Sequence, residues 1–227
     1  MHQNKTNRCD GRIVSLSQPY VRPIVKGKQD KPAEFGAKLS VSLNGDGIAS
    51  VDHLRWDAFH EGLDLAGQVE ACHQRKGYYP EVVLGDPIYG TRDNRNYLKK
   101  LGIRFAGKPL GRPRKIIKEN AAELKKAKER RREEYRQRIP IEGKFGQGKT
   151  GYRLNYIRAK RADTSYAWIN SIFLVMNLMV LLKFFFALNT RRWLAFVAPL
   201  NRLSVVGNYQ HRAVHCPARQ MTKLLVI

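Results

Sequence analysis

A β-hairpin over residues 37–56 is the feature of this chain that most restricts its fold. Apolar and polar side chains alternate from Ala37 to Leu43, which is the period of a strand with one buried face. The turn Asn44-Gly45-Asp46-Gly47 follows, and asparagine and glycine accept the positive φ angles that tight hairpin turns need. Residues 48–56 are expected to return antiparallel to the first strand.

Helices and strands alternate after this hairpin. The apolar spacing predicts an amphipathic helix from Leu63 that ends before Gly77, a strand over 81–85, a helix from Thr91 to Leu101 and a strand over 103–105. The order β-β-α-β-α-β predicts a mixed sheet in an α/β domain. Residues 12–16 have the composition of one further short strand.

The second half of the chain is predicted to be helical. Interleaved Glu, Lys and Arg side chains over 107–134 are typical of a solvated helix. Proline is unfavourable deep inside a helix, so we expect a separate helix to begin at about Pro140. Residues 164–188 are predicted to form an apolar helix that Thr164 or Ser165 caps.

Composition divides the chain into three parts. Pro and Gly punctuate residues 1–36, which predicts an extended basic arm or linker, and residues 37–188 have the patterning of one domain. Residues 189–227 are predicted to be a basic, weakly ordered tail. A length of 227 residues suits one domain of ordinary size.

The net charge of +23 predicts an anionic partner. Nucleic acid is the first candidate and a membrane surface the second. The three cysteines lie far apart, which argues against a disulfide scaffold and a zinc ribbon. Because the first residues lack the apolar stretch of a secretory signal peptide, a cytoplasmic location is expected.

The apolar segment 168–188 has two interpretations. It is nearly long enough to span a bilayer, which would make this a basic membrane-associated protein. Asn170, Ser171, Asn177 and Lys183 interrupt it, which favours a helix that faces the core or a partner.

Asp86 is the first candidate for a chemical role. It follows the predicted strand 81–85, and side chains at the carboxyl ends of strands in α/β sheets point into a crevice. The alternative is a turn residue before Pro87.

Four further candidates have the spacing Y-x2-R-x3-E-x6-K: Tyr135, Arg138, Glu142 and Lys149. On an ideal helix they fall within about 60° of one another. Glu142 could then bind a divalent ion while Arg138 and Lys149 hold phosphates. The alternative is a charged surface helix.

Arg112, Arg114 and Lys115 form a third constellation around a Gly-Arg-Pro core. Such a segment can lie in an AT-rich minor groove. The alternative is a basic linker, which would still contact phosphates.

The four-residue motif resembles the Y-R-E-K signature of DDE transposases from bacterial insertion sequences. Residues 35–38, 77–80 and 173–178 are also similar to that family, and the resemblance covers roughly residues 5–182. It implies a ribonuclease-H-like mixed sheet flanked by helices. It also implies an enzyme that uses Mg²⁺ or Mn²⁺ to cut double-stranded DNA at the element's terminal inverted repeats and to join it to target DNA.

The same resemblance implies roles for single residues. Asp86 would be the second acid of the catalytic triad and Glu142 the third, and both would bind metal. Arg138 and Lys149 would contact DNA phosphates near the cut. Tyr135 would pack beside a terminal base or orient it.

The family's first acid lies on a strand ahead of the hairpin, and this chain has no clear counterpart. Residues 1–36 contain only Asp10 and Asp30, and neither lies in an apolar run. Asp46 and Asp52 are the remaining candidates for a substitute. We therefore expect an N-terminally truncated transposase domain that lacks its first strand and has impaired activity. The alternative is a catalytically dead remnant that binds DNA, either as a homo-oligomer or with full-length transposase, and no membrane is expected as a partner.

Overall fold

The computed structural model describes residues 11–25, 33–197 and 223–226. β1 (Pro23–Val25) and β2 (Ala33–Phe35) form a small antiparallel ribbon within the predicted arm. Residues 12–16, predicted as a strand, are irregular because no neighbouring strand pairs with them in the described part of the chain. Asp10 and Asp30 lie outside the described residues.

The predicted hairpin is confirmed. β3 (Lys38–Leu43) pairs antiparallel with β4 (Ala49–Arg55). In the turn, the side-chain Oδ1 of Asn44 accepts hydrogen bonds from the backbone amides of Asp46 (3.1 Å) and Ile48 (2.8 Å). Gly47 has a φ of 81°, a conformation that favours glycine.

The next four elements follow the predicted order. They are α1 (Leu65–Lys76), β5 (Val82–Gly85), α2 (Arg92–Lys100) and β6 (Arg104–Ala106). A left-handed glycine, Gly77, ends α1, and the hydroxyl of Thr91 caps α2 by accepting from the amide of Asn94 at 3.3 Å. β6 runs parallel to β5.

Two long helices complete the fold, and the first corrects a prediction. α3 (Ala121–Gly151) runs without a break through Pro140, so no separate helix begins there. Proline removes one backbone donor, which leaves the carbonyl of Arg136 without its helical partner. Both residues are exposed, so water can satisfy that carbonyl. α4 (Ala162–Val197) continues beyond the predicted end at residue 188.

A strand from the end of the chain lies in the middle of the sheet. β7 (Lys223–Val226) falls in the segment predicted as a weakly ordered tail. It gives the strand order β4-β3-β7-β5-β6, parallel to β5 and antiparallel to β3. The sheet is therefore mixed, as predicted. Its central strand comes from the C-terminal segment that was predicted to be a weakly ordered tail.

Helices cover both faces of this sheet. On one face, α3 and α4 contribute Ile141, Ile169 and Phe173 to the core. On the other face, α1 and α2 pack against strands β5 and β7 through residues that include Leu65 and Leu98. The prediction of a half-buried β3 was wrong, since α1 and the turn before it cover the polar side. Ser40 is fully buried there and donates to Asp64 at 2.6 Å.

α4 is divided between the core and an exposed apolar end. Within the described residues, the segment Ala162–Thr190 is long and apolar enough to cross a membrane by length and composition. One face of its first half packs into the core, where Phe173 is 3% exposed and Met176 1%, although only 17% of the apolar stretch is buried. After Asn177, side chains through residue 190 are exposed except for the half-buried Val180.

Replacing Asn177 with leucine is expected to destabilise the fold. The amide side chain accepts from the backbone amide of Ala49 (2.9 Å) and donates to its carbonyl (2.7 Å), so it completes the hydrogen bonding of β4. Two buried backbone groups would lose their partner, at a cost of about 1–3 kcal/mol in the free energy of unfolding. Urea titration measures the loss, with Asn170→Leu on the same helix as control. Equal stability of the two variants would contradict this role.

Candidate active site

Asp86 stands directly after β5, at the carboxyl end of the strand. Gly85 is the last residue of β5, and the backbone of Asp86 is extended before a short 3-10 turn at Pro87–Tyr89. The carboxylate is 48% exposed and faces the side of the sheet that α3 covers, where it reaches Arg138. The predicted crevice position is therefore occupied by a carboxylate that solvent can reach.

The guanidinium of Arg138 joins Asp86 to Glu142. Its Nη1 lies 3.5 Å from Asp86 Oδ2, and its Nη2 lies 2.8 Å from Glu142 Oε1. Arg138 is only 14% exposed, whereas Glu142 is 45% exposed. The two carboxylates from distant parts of the chain therefore converge on a single cation.

Packing of α3 against the sheet holds this arrangement. Ile141, between the two charged residues of the motif, is fully buried in the core. Gly148 lets the end of the helix approach its neighbours closely, because a Cβ there would lie 3.0 Å from the side chain of Leu154. These contacts fix the face of α3 that turns toward Asp86.

Tyr135 and Lys149 extend the same face in opposite directions. The guanidinium of Arg138 lies over the Tyr135 ring, 5.3 Å from its centroid, and the ring is 61% exposed. Lys149 is exposed. It lies about 10 Å along the helix axis from Glu142, and seven residues bring it back to the same side.

Two carboxylates offer too few protein ligands for two divalent ions, and the guanidinium of Arg138 lies between them. Carboxylate oxygens suit Mg²⁺ and Mn²⁺, and water can supply the remaining ligands of a single ion. Among the residues that the structure describes, no group of three or more His, Cys, Asp or Glu side chains could hold a metal. Arg138 at present balances part of the negative charge that such an ion would meet.

The structure does not place either candidate substitute acid beside Asp86. Asp46 lies in the hairpin turn, 3.7 Å from Lys76. Asp52 is on β4, where it pairs with Arg75 at 2.9 Å. Burial raises the pKa of Asp52 above its ordinary value, although the hydrogen bond from Ser42 and the charge of Arg75 oppose that shift. Two strands, β3 and β7, separate β4 from β5, so neither acid can join the pair.

A cleft of about 690 Å³ opens next to the carboxylates. We call it the α3 cleft; its floor is formed by the ends of β5 and β6 and the loop 107–110, and its wall by α3. Sequence reasoning missed most of its cations, although the spacing of 128, 131, 135 and 138 continues the helical face of the motif. The basic side chains that line it are Arg95, Lys108, Lys128, Arg131, Arg132 and Arg138.

The Gly-Arg-Pro segment lies outside this cleft. Arg112, Arg114 and Lys115 are exposed on the loop between β6 and α3 and are absent from the residues that line it. Arg114 lies 3.9 Å from Glu123 at the start of α3. Their predicted contact with DNA would thus occur beside the cleft and not at the carboxylates.

Lys144 is a buried cation on the core side of α3, and its replacement by methionine is expected to stabilise the fold. It is 7% exposed, and burial, with a smaller effect of Lys183, lowers its pKa below the ordinary 10.5. A lowered pKa means that the native state disfavours the proton, so the penalty is fully present at neutral pH. We expect K144M to gain about 0.5–2 kcal/mol at pH 7.

This gain should shrink as the pH rises through the native pKa of Lys144 toward the unfolded value, because the wild-type penalty then disappears. Urea unfolding at pH 7 and at pH 10 measures the difference. A gain that stays constant between the two pH values would show that packing, and not charge, is responsible.

Comparison with known proteins identifies the segment that carries this site. Residues 83–179 match the sequence model of a family described as the transposase DDE domain. No curated protein and no solved structure matches the chain. The matched segment begins in β5 and ends in α4, so it contains Asp86, Arg138 and Glu142 with the helix that positions them. This part of the chain, somewhat less than half of its length, is thus similar to the DDE domain of transposases.

Proposed function

We propose that this protein acts in DNA transposition, by metal-dependent cleavage and strand transfer at the ends of an insertion sequence. The single observation that carries the proposal is the convergence of Asp86 and Glu142 on Arg138 within the segment similar to the transposase DDE domain. The substrate is double-stranded DNA with the terminal inverted repeats, and the target is a second duplex. The place of action is the cytoplasm.

In this proposal Asp86 and Glu142 hold one Mg²⁺ or Mn²⁺. Such an ion polarises a phosphoryl oxygen and lowers the pKa of a bound water, which makes a phosphodiester bond easier to break. Arg138, whose Nη1 makes no hydrogen bond and lies 3.5 Å from Asp86 Oδ2, would bind a phosphate oxygen in place of that carboxylate. Lys149 neutralises a second phosphate, and the exposed ring of Tyr135 orients a terminal base.

We further propose that the domain has a ribonuclease-H-like fold. The strand order, with β7 parallel to β5 and antiparallel to β3, supports this because β7 fills the central place. Its residues, Lys223 to Val226, include no acid. A metal site limited to two carboxylates should cleave DNA slowly, since a second ion has too few ligands.

A catalytically dead DNA-binding remnant is the second candidate. The lack of a third acid near Asp86 in the described part of the chain favours it. Such a protein would bind element ends, alone as a homo-oligomer or together with a full-length transposase. The membrane alternative has less support, because one face of the first half of α4 packs into the core through Ile169, Phe173 and Met176.

A cleavage assay separates these candidates. The substrate is a supercoiled plasmid that carries the DNA ends flanking the coding sequence, with Mg²⁺ or Mn²⁺. We expect slow metal-dependent nicking that Asp86→Asn and Glu142→Gln abolish. Asp163→Asn is the control, because Asp163 is an exposed acid that pairs with Arg161 at the start of α4 and does not line the α3 cleft.

The outcomes are distinct. Nicking that persists in Asp86→Asn would overturn the assignment of the site. Salt-dependent duplex binding without any cleavage would favour the binding remnant over the enzyme. Recovery of the protein in the membrane fraction only would favour the membrane alternative.

A further inference from the structure

We propose that the N-terminal half of α3 is a docking surface for duplex DNA, in which Lys128, Arg131 and Arg132 bind backbone phosphates. The inference rests in part on the proposed function, because this surface leads to the carboxylates assigned there. It adds a group of residues outside the Y-R-E-K spacing and states where the duplex approaches.

The helical geometry places Lys128 and Arg131 on the face of α3 that carries Arg138 and Glu142, and Arg132 is next to Arg131 in the chain. Lys128, Arg131, Tyr135, Arg138 and Glu142 follow one another at intervals of three, four, three and four residues. Such intervals keep side chains on one side of a helix. The three cations also line the α3 cleft, together with Tyr135 and Arg138. One continuous stripe therefore runs from the basic half of the helix to the carboxylates.

The three cations of the proposed docking surface differ from the neighbouring arginines of α3 in their ion pairs. Arg130 lies 3.9 Å from Glu134, and Arg136 lies 3.7 Å from Glu133. Lys128, Arg131 and Arg132 form no ion pair with any acid that the structure describes. Their charge is available to an external anion, while the charge of the neighbouring arginines is partly neutralised within the helix.

The one acid that lines the cleft is already neutralised. Glu134 is 8% exposed, and its Oε1 lies 2.6 Å from Nη1 of Arg104. A phosphate that enters the cleft along α3 therefore meets Lys128, Arg131 and Arg132, which have no ion pair among the described residues, before it reaches the carboxylates. Cations followed by carboxylates along α3 suit a DNA strand whose phosphates lie along the helix while one phosphodiester reaches the carboxylates.

The length of the stripe indicates a duplex rather than a small anion. From Lys128 to Glu142 the helix rises about 21 Å. Phosphates of B-DNA follow one another at about 3.4 Å per strand, so the stripe spans roughly six base pairs. The exposure of Lys128 and Arg132 lets a duplex contact both without entering the protein.

Binding of a 30-base-pair duplex over a range of salt concentrations tests the surface. The measurement is made in EDTA, where no cleavage can occur, with K128Q/R131Q/R132Q as the test variant. The control is K99Q/K100Q/K160Q, which removes the same charge from exposed lysines that lie outside α3 and do not line the cleft. Circular dichroism confirms that both variants are folded.

We expect the test variant to bind the duplex roughly 10- to 100-fold more weakly at 0.1 M salt. Its plot of log affinity against log salt should be shallower by about two to three, since each lost phosphate contact changes the slope by about 0.9. The control should stay within about threefold of wild type. An equal loss in both variants would show that only net charge matters, and no loss in either would show that the duplex binds elsewhere; each result overturns the proposal.

Failure of this proposal and of the proposed function can be told apart. An inactive metal site leaves binding in EDTA unchanged. Metal-dependent cleavage that survives K128Q/R131Q/R132Q, with unchanged affinity, would refute the docking surface and leave the function intact.

Discussion

Replacing Val226 with aspartate will unfold the central sheet, although the two side chains have similar volumes. Val226 is fully buried in β7, and its register partner is Gly85, the residue before Asp86. The side chain packs so closely that a Cβ on Gly85 would lie 2.8 Å from Val226 Cγ2. An unpaired carboxylate at this place should cost at least about 4 kcal/mol, which is a large part of the stability of a small domain.

Thermal unfolding followed by circular dichroism measures this effect. Leu188→Asp is the matched control, because Leu188 is 62% exposed in the second half of α4 and an acid there stays in water. We expect the control to unfold close to the wild-type temperature. If Val226→Asp did the same, β7 would not be a central strand of the sheet.

Replacing Arg138 with alanine will change metal binding and DNA binding in opposite directions. Arg138 is the internal cation between Asp86 and Glu142, so its removal leaves two carboxylates without a counter-charge. A divalent ion then meets a more negative site, and its affinity should rise by about tenfold. Duplex DNA loses a phosphate contact, and its affinity should fall by about tenfold.

Two controls make this result specific. Arg138→Lys keeps the charge and should remain near wild type for metal binding. Arg136→Ala removes an exposed arginine that pairs with Glu133, and it should change neither affinity by more than about twofold. Parallel losses of both affinities in Arg138→Ala would mean that arginine holds the local fold instead of balancing the carboxylates.

The candidate site could be proposed from the sequence because each of its two parts, the acid after β5 and the charged face of α3, depends on a local sequence pattern. The sequence shows a carboxylate directly after a predicted buried strand. It also shows charged residues at the spacing of one helix face. The convergence of Asp86 and Glu142 follows once α3 packs against β5. What the spacing did not reveal is that α3 is continuous through Pro140, since the exposed side of a helix tolerates a missing hydrogen bond.

β7 could not be predicted for a different reason. Four residues, Lys223 to Val226, are too few to show a period, and their pairing with β3 and β5 joins distant parts of the chain. The α3 cleft is equally a product of tertiary structure, because its floor and wall come from β5, β6 and α3. Local patterns thus predicted the mixed sheet and missed the strand that completes it.

Titration of the protein with Mn²⁺ tests whether Asp86 and Glu142 share one divalent ion. We expect one bound ion per chain, with affinity reduced at least about tenfold by either Asp86→Asn or Glu142→Gln. Asp163→Asn should bind Mn²⁺ as wild type does. Equal Mn²⁺ binding by wild type and both site variants would contradict the account.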